Sequence, residues 1–125
     1  MAAVLLDTQA LLLWTTEADG LSARAERLLE DRRTRAVVSA ASVWEMAIKQ
    51  RRGRLRLPEA YFDVLFAADV QLLAMSERHA LAAGRLPLHH ADPFDRMLIA
   101  QSRAEGLPLV GSDAAFAAYD VDVIW

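Results

Sequence analysis

The chain has 125 residues, of which 54% are apolar, 25% are charged and none is cysteine, and its net charge is −3. This length fits one compact domain, residues 1–125, and the composition excludes disordered and fibrous proteins. The lack of cysteine excludes disulfide scaffolds, thiolate zinc sites and thiol nucleophiles, so any chemistry depends on oxygen, nitrogen and bound ions.

The pattern of apolar residues predicts an α/β fold with a parallel sheet. Short β-type runs alternate with longer stretches of helical spacing, as in sheets whose strands are connected by helices. Five strands are predicted: Val4–Leu6, Ala36–Ser39, Gln71–Ala74, Pro108–Gly111 and Val121–Ile124. The predicted helices are one that Ser22 caps, one over Ala40–Arg51 before Gly53, one with Pro58 in its first turn, one from Ser76 to near Gly84, and one from Asp92 to Gly106.

The N-terminal residues predict neither secretion nor membrane insertion. They lack the basic start and the small-residue cleavage site of a secretory signal. Asp7, Glu17 and Asp19 interrupt the longest apolar stretch, so no segment reaches the roughly 18 to 20 residues that span a bilayer. We therefore expect a cytoplasmic protein that does not contact a membrane.

Charge is distributed unevenly along the chain. The segment from Arg24 to Arg56 holds ten basic and four acidic residues, a net charge of +6, which leaves −9 for the remainder. Such asymmetry is consistent with a polyanion partner beside an acidic ion site, and equally with solvated helix faces. Charge alone does not separate these interpretations.

Four acidic residues lie where four segments reach one edge of the predicted sheet. Asp7 directly follows the first strand, and Asp113 follows the fourth. Glu45 lies about one and a half turns into the helix after the second strand. Asp95 lies in the first turn of the helix before the fourth strand, with Asp92 one turn earlier. Because side chains beyond the carboxyl ends of parallel strands converge on one crevice, we expect these carboxylates to meet.

Each of these acids also has a structural explanation as a turn or helix-capping residue. Ser42 and Glu45, for example, fit a capping box, and Asp7 with Thr8 suits a strand-to-helix turn. Capping explains each acid at its own helix, but it does not explain why all four should converge. We therefore favour a functional site.

The cost of gathering these charges predicts a bound cation. Two carboxylates about 5 Å apart repel by roughly 3 kcal/mol at an effective dielectric constant of about 20. Lys49 lies one turn from Glu45 and Arg96 adjoins Asp95, whereas the other two acids have no basic neighbour in the sequence. A hard divalent cation would balance the charge, and an all-oxygen site suits Mg²⁺ or Mn²⁺ rather than zinc.

A site of this kind suits phosphodiester hydrolysis, since the metal orients water, lowers its pKa and stabilises charge on the phosphorus oxygens. A basic segment that includes Lys49, Arg51 and Arg52 begins one turn after Glu45. We expect it to hold a nucleic-acid backbone near the acids, with an affinity that falls as salt rises. His89 and His90 could ligate a metal or act as a base, but adjacent histidines in a loop are more often surface residues, which is the interpretation favoured here. Most of the aromatic side chains are interpreted as core residues.

Four segments of the chain match a known family along essentially its whole length. They are Leu5-Leu-Asp-Thr-Gln-Ala-Leu-Leu, Val38-Ser-Ala-Ala-Ser-Val-Trp-Glu-Met-Ala-Ile-Lys, His90-Ala-Asp-Pro-Phe-Asp-Arg-Met-Leu-Ile-Ala-Gln and Leu109-Val-Gly-Ser-Asp-Ala-Ala-Phe. The chain thereby resembles PIN-domain ribonucleases, specifically the VapC-like toxins of bacterial toxin–antitoxin pairs. The sequence departs from that family at Gln9, where Asn or His is more usual, and at Gly111, where Thr is common.

The resemblance implies a three-layer α/β/α domain with a central sheet of five parallel strands. It implies a family acidic quartet at Asp7, Glu45, Asp95 and Asp113, of which Asp7, Asp95 and Asp113 are metal ligands. Thr8 and Ser112 match the family's polar residues that support these acids. Asp92, which could be confused with Asp95 in Asp-Pro-Phe-Asp, is taken as a further supporting residue. The resemblance also implies a homodimer and inhibition by a cognate antitoxin that blocks the acidic crevice.

The main hypothesis is a Mg²⁺- or Mn²⁺-dependent endoribonuclease in which Glu45 helps to hold the metal or positions the attacking water. An alternative is a catalytically inactive PIN-fold module that docks an Arg-bearing partner peptide in the same crevice. A phosphatase-type domain with Asp7 as nucleophile is disfavoured, because Gln9 stands where its second aspartate would be.

Overall fold

The central sheet of the protein has five parallel strands. A computed structural model describes residues 2–125, and its strands are β1 (Ala2–Leu6), β2 (Thr34–Ser39), β3 (Gln71–Leu73), β4 (Leu109–Val110) and β5 (Val123–Ile124). Their order is β3-β2-β1-β4-β5, and every neighbouring pair is parallel. The predicted α/β class and five-stranded parallel sheet are therefore confirmed.

Helices connect the strands. The described residues form six α-helices and one 3₁₀ helix: α1 (Thr8–Thr15), α2 (Ala23–Glu30), α3 (Ala40–Arg51), α4 (Tyr61–Ala67), α5 (Glu77–Arg85), α6 (Pro93–Glu105) and the 3₁₀ helix Ala114–Ala118. Since every strand runs in the same direction, the loops that follow β1, β2 and β4 open at the same edge of the sheet. The acids predicted to converge lie at this edge.

Alternating residues of β1 build a core on each side of the sheet. Val4 and Leu6 pack in one cluster with residues of α1, α2 and α4, and Leu5 packs in the other with residues of α6 and the 3₁₀ helix. These strand residues are at most 1% exposed. Burial on both faces explains why the strand reads as an uninterrupted apolar run.

Several predicted boundaries are wrong. The sequence pattern did not predict α1, because its apolar residues are consecutive and show no helical period. Helix α4 begins at Tyr61 rather than at Pro58, whose carbonyl accepts a hydrogen bond from the Tyr61 backbone N–H at 3.0 Å. The last two strands in the chain, β4 and β5, are each two residues long, shorter than predicted.

Other helix ends agree with the sequence signals. Ser22, Ser76 and Asp92 are the N-caps of α2, α5 and α6, and each side chain accepts a backbone hydrogen bond. Gly106 ends α6 in the left-handed region, with φ +65°. Within residues 2–125, no helix combines the length and apolar character needed to cross a bilayer.

Candidate metal and catalytic site

Asp7 and Asp113 stand at the carboxyl ends of the adjacent strands β1 and β4. The Asp7 carboxylate caps α1 and accepts a hydrogen bond from the Ala10 backbone N–H at 2.7 Å. Asp113 caps the 3₁₀ helix in the same way and accepts from the Ala115 N–H at 2.9 Å. Each acid therefore has the capping role that sequence alone suggested, and the topology additionally brings the two together.

The Asp7 carboxylate is buried among other negative charges. The residue is 5% exposed. Its pKa is raised from 3.8 to about 6, chiefly by burial and further by the charges of Asp95, Asp113 and Glu45, while the hydrogen bond from the Ala10 N–H opposes the shift. All three other acids therefore lie near enough to act electrostatically on Asp7.

A glycine makes room for this carboxylate. A Cβ atom at Gly111 would lie 2.4 Å from Asp7 Oδ2 and 3.0 Å from a ring carbon of Phe116. Neither neighbour leaves space for a side chain, so the departure from the family's usual Thr has a physical reason here. The absence of a side chain at Gly111 is therefore what lets the Asp7 carboxylate occupy this position.

Glu45 is held from two sides. Its Oε1 accepts a hydrogen bond from the Thr8 hydroxyl at 2.6 Å, and its Oε2 forms an ion pair with Lys49 at 2.8 Å. The Ser42 hydroxyl lies 3.1 Å from that of Thr8. The capping-box interpretation of Ser42 and Glu45 is wrong, because α3 begins one turn earlier and is capped by Ser39.

Asp95 lies in the first turn of α6, as predicted. Its backbone N–H donates to the Asp92 carboxylate at 2.9 Å, so Asp92 caps the helix directly behind Asp95. Burial raises the pKa of Asp95, and the charges of Asp92 and Glu45 add to that effect while a hydrogen bond from His90 opposes it. Asp92 therefore supports Asp95 structurally and also increases the negative potential around it.

His90 is the site residue that sequence reasoning missed. Its Nε2 lies 2.8 Å from Asp95 Oδ2, and this hydrogen bond raises the pKa of His90. One ligand atom each of His90, Asp95 and Asp113 lie within 4.8 Å of one another. No local sequence signal identifies His90, because the loop that carries it is positioned by contacts distant in sequence.

Arg96 does not neutralise Asp95, although the two are adjacent in sequence. Its guanidinium points away and donates to backbone carbonyls of the loop between α5 and α6. Within the described chain, neither Asp7 nor Asp113 forms an ion pair. Two of the four acids therefore lack a cationic partner from the protein.

The remaining predicted residues lie around the site. The Ser112 hydroxyl donates to Gln9 Oε1 at 3.1 Å, which connects the loops after β4 and β1. Arg51 and Arg52 are exposed at the end of α3. Two aromatic side chains interpreted as core are in fact exposed: Trp44 is 55% exposed and Phe66 is 47% exposed.

The donors at this edge fit a divalent cation. Two carboxylates and one imidazole lie within 4.8 Å of one another, next to the buried and uncompensated Asp7. Carboxylate oxygens suit Mg²⁺ and Mn²⁺, and imidazole suits transition metals. The imidazole of His90 lies beside the carboxylates and is hydrogen-bonded to Asp95, so carboxylate oxygens remain the candidate ligands that the sequence predicts.

The arrangement defines an α/β domain with an acidic centre at the carboxyl edge of its sheet. The family model of the PIN domain matches residues 4–122. The chain therefore belongs to the PIN domain family, and the resemblance identified in its sequence is confirmed. Among curated protein sequences, no significant match is found.

Solved structures with a similar fold include VapBC proteins and a VapC toxin. VapBC2 from Rickettsia felis, bound to a DNA fragment from its promoter, matches with a TM-score of 0.73 at 14% identity, over 98% of this chain and 97% of that chain. VapC20 from Mycobacterium tuberculosis, a Sarcin-Ricin loop cleaving toxin, matches with 0.71 at 18% identity, over 94% and 95%. DNA-bound VapBC from Salmonella typhimurium matches with 0.71 at 16% identity, over 99% and 98%.

Proposed function

We propose that the protein is a metal-dependent endoribonuclease and the toxin of a VapBC-type toxin–antitoxin pair. The observation that carries this proposal is the gathering of Asp7, Glu45, Asp95 and Asp113 at one edge of the sheet, where the other three acids raise the pKa of buried Asp7. Such a concentration of carboxylates destabilises the fold unless a cation offsets it. Membership of the PIN domain family and the likeness to VapC toxins support the same conclusion.

In this proposal Asp7, Asp95 and Asp113 hold Mg²⁺ or Mn²⁺. The bound metal supplies an activated water and stabilises negative charge on the phosphorus oxygens. Glu45 contributes a carboxylate whose position is fixed by Thr8 and Lys49, at 2.6 and 2.8 Å. An acid held in this way is suited to orienting water or completing the metal site. Ser112 and Asp92 stabilise the backbone segments that carry Asp113 and Asp95.

The proposed substrate is RNA. VapC20, which the fold resembles, is described as a Sarcin-Ricin loop cleaving toxin. Lys49 and Arg51 on α3 and its C-cap residue Arg52 follow Glu45 and offer positive charge for a phosphate backbone. Of these, Lys49 is already paired with Glu45, so the exposed arginines are the freer cations.

The proposed partners are a cognate antitoxin and a second copy of the chain. Two similar structures are toxin–antitoxin complexes. An apolar groove of about 390 Å³ lies between α1 and α4, and its lining includes Trp14 and Val64. Trp14 also borders an adjoining pocket that Glu17 and Glu26 line, so the combined surface suits an antitoxin segment with apolar and basic side chains. Purification together with the product of the neighbouring reading frame tests the antitoxin, and light scattering tests the dimer.

The decisive experiment replaces Asp95 by Asn. We expect the purified protein to cleave total RNA in Mg²⁺ or Mn²⁺ and to lose cleavage in EDTA. Asp95→Asn should lower the cleavage rate by at least about 100-fold while circular dichroism remains unchanged, since it removes one charge from the metal site. Mg²⁺ should also raise the melting temperature of the wild type, because a ligand of the native state stabilises it.

Asp63→Asn is the matched control, since Asp63 is an exposed aspartate on α4 and should tolerate the same change. Equal cleavage by wild type and Asp95→Asn would refute the assignment of the site. Absence of any metal-dependent cleavage, with binding of an Arg-bearing peptide retained, would instead favour the inactive binding module.

A further inference from the structure

A buried arginine organises the loop between α5 and α6. Arg96 is 8% exposed, although it is charged. Its Nη1 donates to the carbonyls of Pro87 and His90 at 3.0 and 3.1 Å, and its Nη2 donates to those of Ala83 and Leu86, each at 2.9 Å. Burying a guanidinium is costly unless its donors are satisfied, so these bonds fix the loop against α6.

A buried tyrosine fixes the same loop from the other side. The Tyr119 hydroxyl accepts a hydrogen bond from the His90 backbone N–H at 2.9 Å and donates to the Pro87 carbonyl at 2.7 Å. The backbone N–H and carbonyl of His90 are thus both bonded to buried side chains, Tyr119 and Arg96. A loop residue outside any helix or strand is thereby held in one position.

The imidazole held in this way reaches Asp95. Its Nε2 lies 2.8 Å from Asp95 Oδ2, and the two side chains are 24% and 22% exposed. A nitrogen that donates its proton to a carboxylate has no lone pair left for a metal ion. His90 therefore acts on the site through Asp95 rather than as a ligand of its own.

We propose that His90 is a positioning residue, which fixes the Asp95 carboxylate for metal binding and is itself fixed by Arg96 and Tyr119. This inference rests on the proposed function, since it assigns Asp95 to the metal site. A carboxylate held by a hydrogen bond loses less freedom when it binds a cation than a freely rotating one does. Partners of this kind commonly change metal affinity by about 10- to 100-fold when removed.

The test compares His90→Leu with His90→Gln. Leu removes the donor, so we expect the Mn²⁺ affinity measured by calorimetry and the kcat for RNA cleavage each to fall by about 10-fold or more, with KM little changed. Gln retains an N–H donor and should restore most of both. His89→Ala is the matched control, because its exposed ring packs on Tyr119 at 5.3 Å rather than on an acid.

A second variant keeps the test meaningful if His90→Leu does not fold. Tyr119→Phe removes only the hydroxyl that holds the His90 N–H, and we expect about 3- to 10-fold weaker Mn²⁺ binding. Electron spin echo measurements of the Mn²⁺-loaded protein should show no coupling to an imidazole nitrogen. Such a coupling, or unchanged affinity and kcat in a folded His90→Leu protein, would overturn the proposal.

The positioning role of His90 and the proposed ribonuclease function can be tested separately. In the metal-free protein, NMR should detect a His90 Nε2 proton protected from exchange with water, and Asp95→Asn should shift its resonance. If that hydrogen bond is present but the wild type neither binds Mn²⁺ nor cleaves RNA, the proposed function is wrong. If the wild type binds and cleaves but the hydrogen bond is absent, the positioning role is wrong.

Discussion

The burial of the Asp7 carboxylate among other negative charges destabilises the folded protein when no cation is bound. Asp7 is 5% exposed, it lacks an ion-pair partner among residues 2–125, and its pKa is raised to about 6 by burial and by three neighbouring carboxylates. Only the Ala10 N–H opposes this effect. A side chain in this situation indicates that the protein keeps it for a purpose other than stability.

Asp7→Asn should therefore stabilise the metal-free protein at pH 7.5. Because the folded pKa of Asp7 lies above the unfolded value of 3.8, the stability from this group is fully present below pH 3.8 and is lost as pH rises through about 6. At pH 7.5 the ionised wild type carries a penalty of about 3 kcal/mol, which Asn removes. Urea unfolding in EDTA should show the difference at pH 7.5 and little difference near pH 4. A less stable variant at pH 7.5 would contradict this assignment.

Gly111→Ala should disturb Asp7. The new Cβ would lie 2.4 Å from Asp7 Oδ2, so the carboxylate must move or the strand end must shift, at a cost of about 1 to 3 kcal/mol. We expect a lower melting temperature and weaker stabilisation by Mg²⁺. A double-mutant cycle supplies the control. In an Asp7→Ala background, Gly111→Ala should lower the free energy of unfolding by clearly less than it does in the wild type. Equal costs in both backgrounds would show that Asp7 is not the obstacle.

At the scale of elements, two glycines of helices α5 and α6 have opposite expected effects on stability. Gly106 ends α6 with φ +65°, and a Cβ atom there would meet nothing within 4 Å, so Gly106→Ala should cost about 1 kcal/mol through backbone strain alone. Gly84 lies inside α5 with equally open space, and Gly84→Ala should stabilise by up to about 1 kcal/mol. Chemical denaturation measures both, and a shift of the same sign in both variants would contradict the backbone explanation.

At the scale of the whole molecule, the sheet places acidic and basic regions side by side. Glu45 and Lys49 lie one turn apart on α3, and the exposed Arg52 is the C-cap residue of the same helix. An exposed arginine thus lies at the end of the helix that carries Glu45. Arg103, by contrast, lies in the last turn of α6, at the opposite end of that helix from Asp95.

RNA binding should depend on this arrangement. In an Asp95→Asn background, which prevents cleavage, Arg52→Ala should weaken binding and reduce the slope of log affinity against log salt by about 0.7 for one lost phosphate contact on single-stranded RNA. Arg103→Ala is the matched control and should leave the slope unchanged. Fluorescence anisotropy across a salt series makes the measurement. An equal loss of slope in both variants would argue against a basic region beside the acids.

The sequence by itself determined the fold class and most helix ends, and it singled out four acids as a candidate site. These inferences depend on local signals: alternating apolar runs, N-cap residues such as Ser22 and Asp92, and acids placed near strand ends or in the first turns of helices. It did not determine α1, whose consecutive leucines show no helical period. It also misplaced the start of α4, because Pro58 is an equally good residue for the preceding loop.

Only the tertiary structure decided how the acids are supported. His90 meets Asp95 through a loop held by Arg96 and Tyr119, and Tyr119 is 29 residues away from His90 in sequence. Gly111 is required because the Asp7 carboxylate occupies the space of its missing side chain. Patterns in sequence report which residues share an element, whereas hydrogen bonds and close approaches between distant segments depend on how those elements pack.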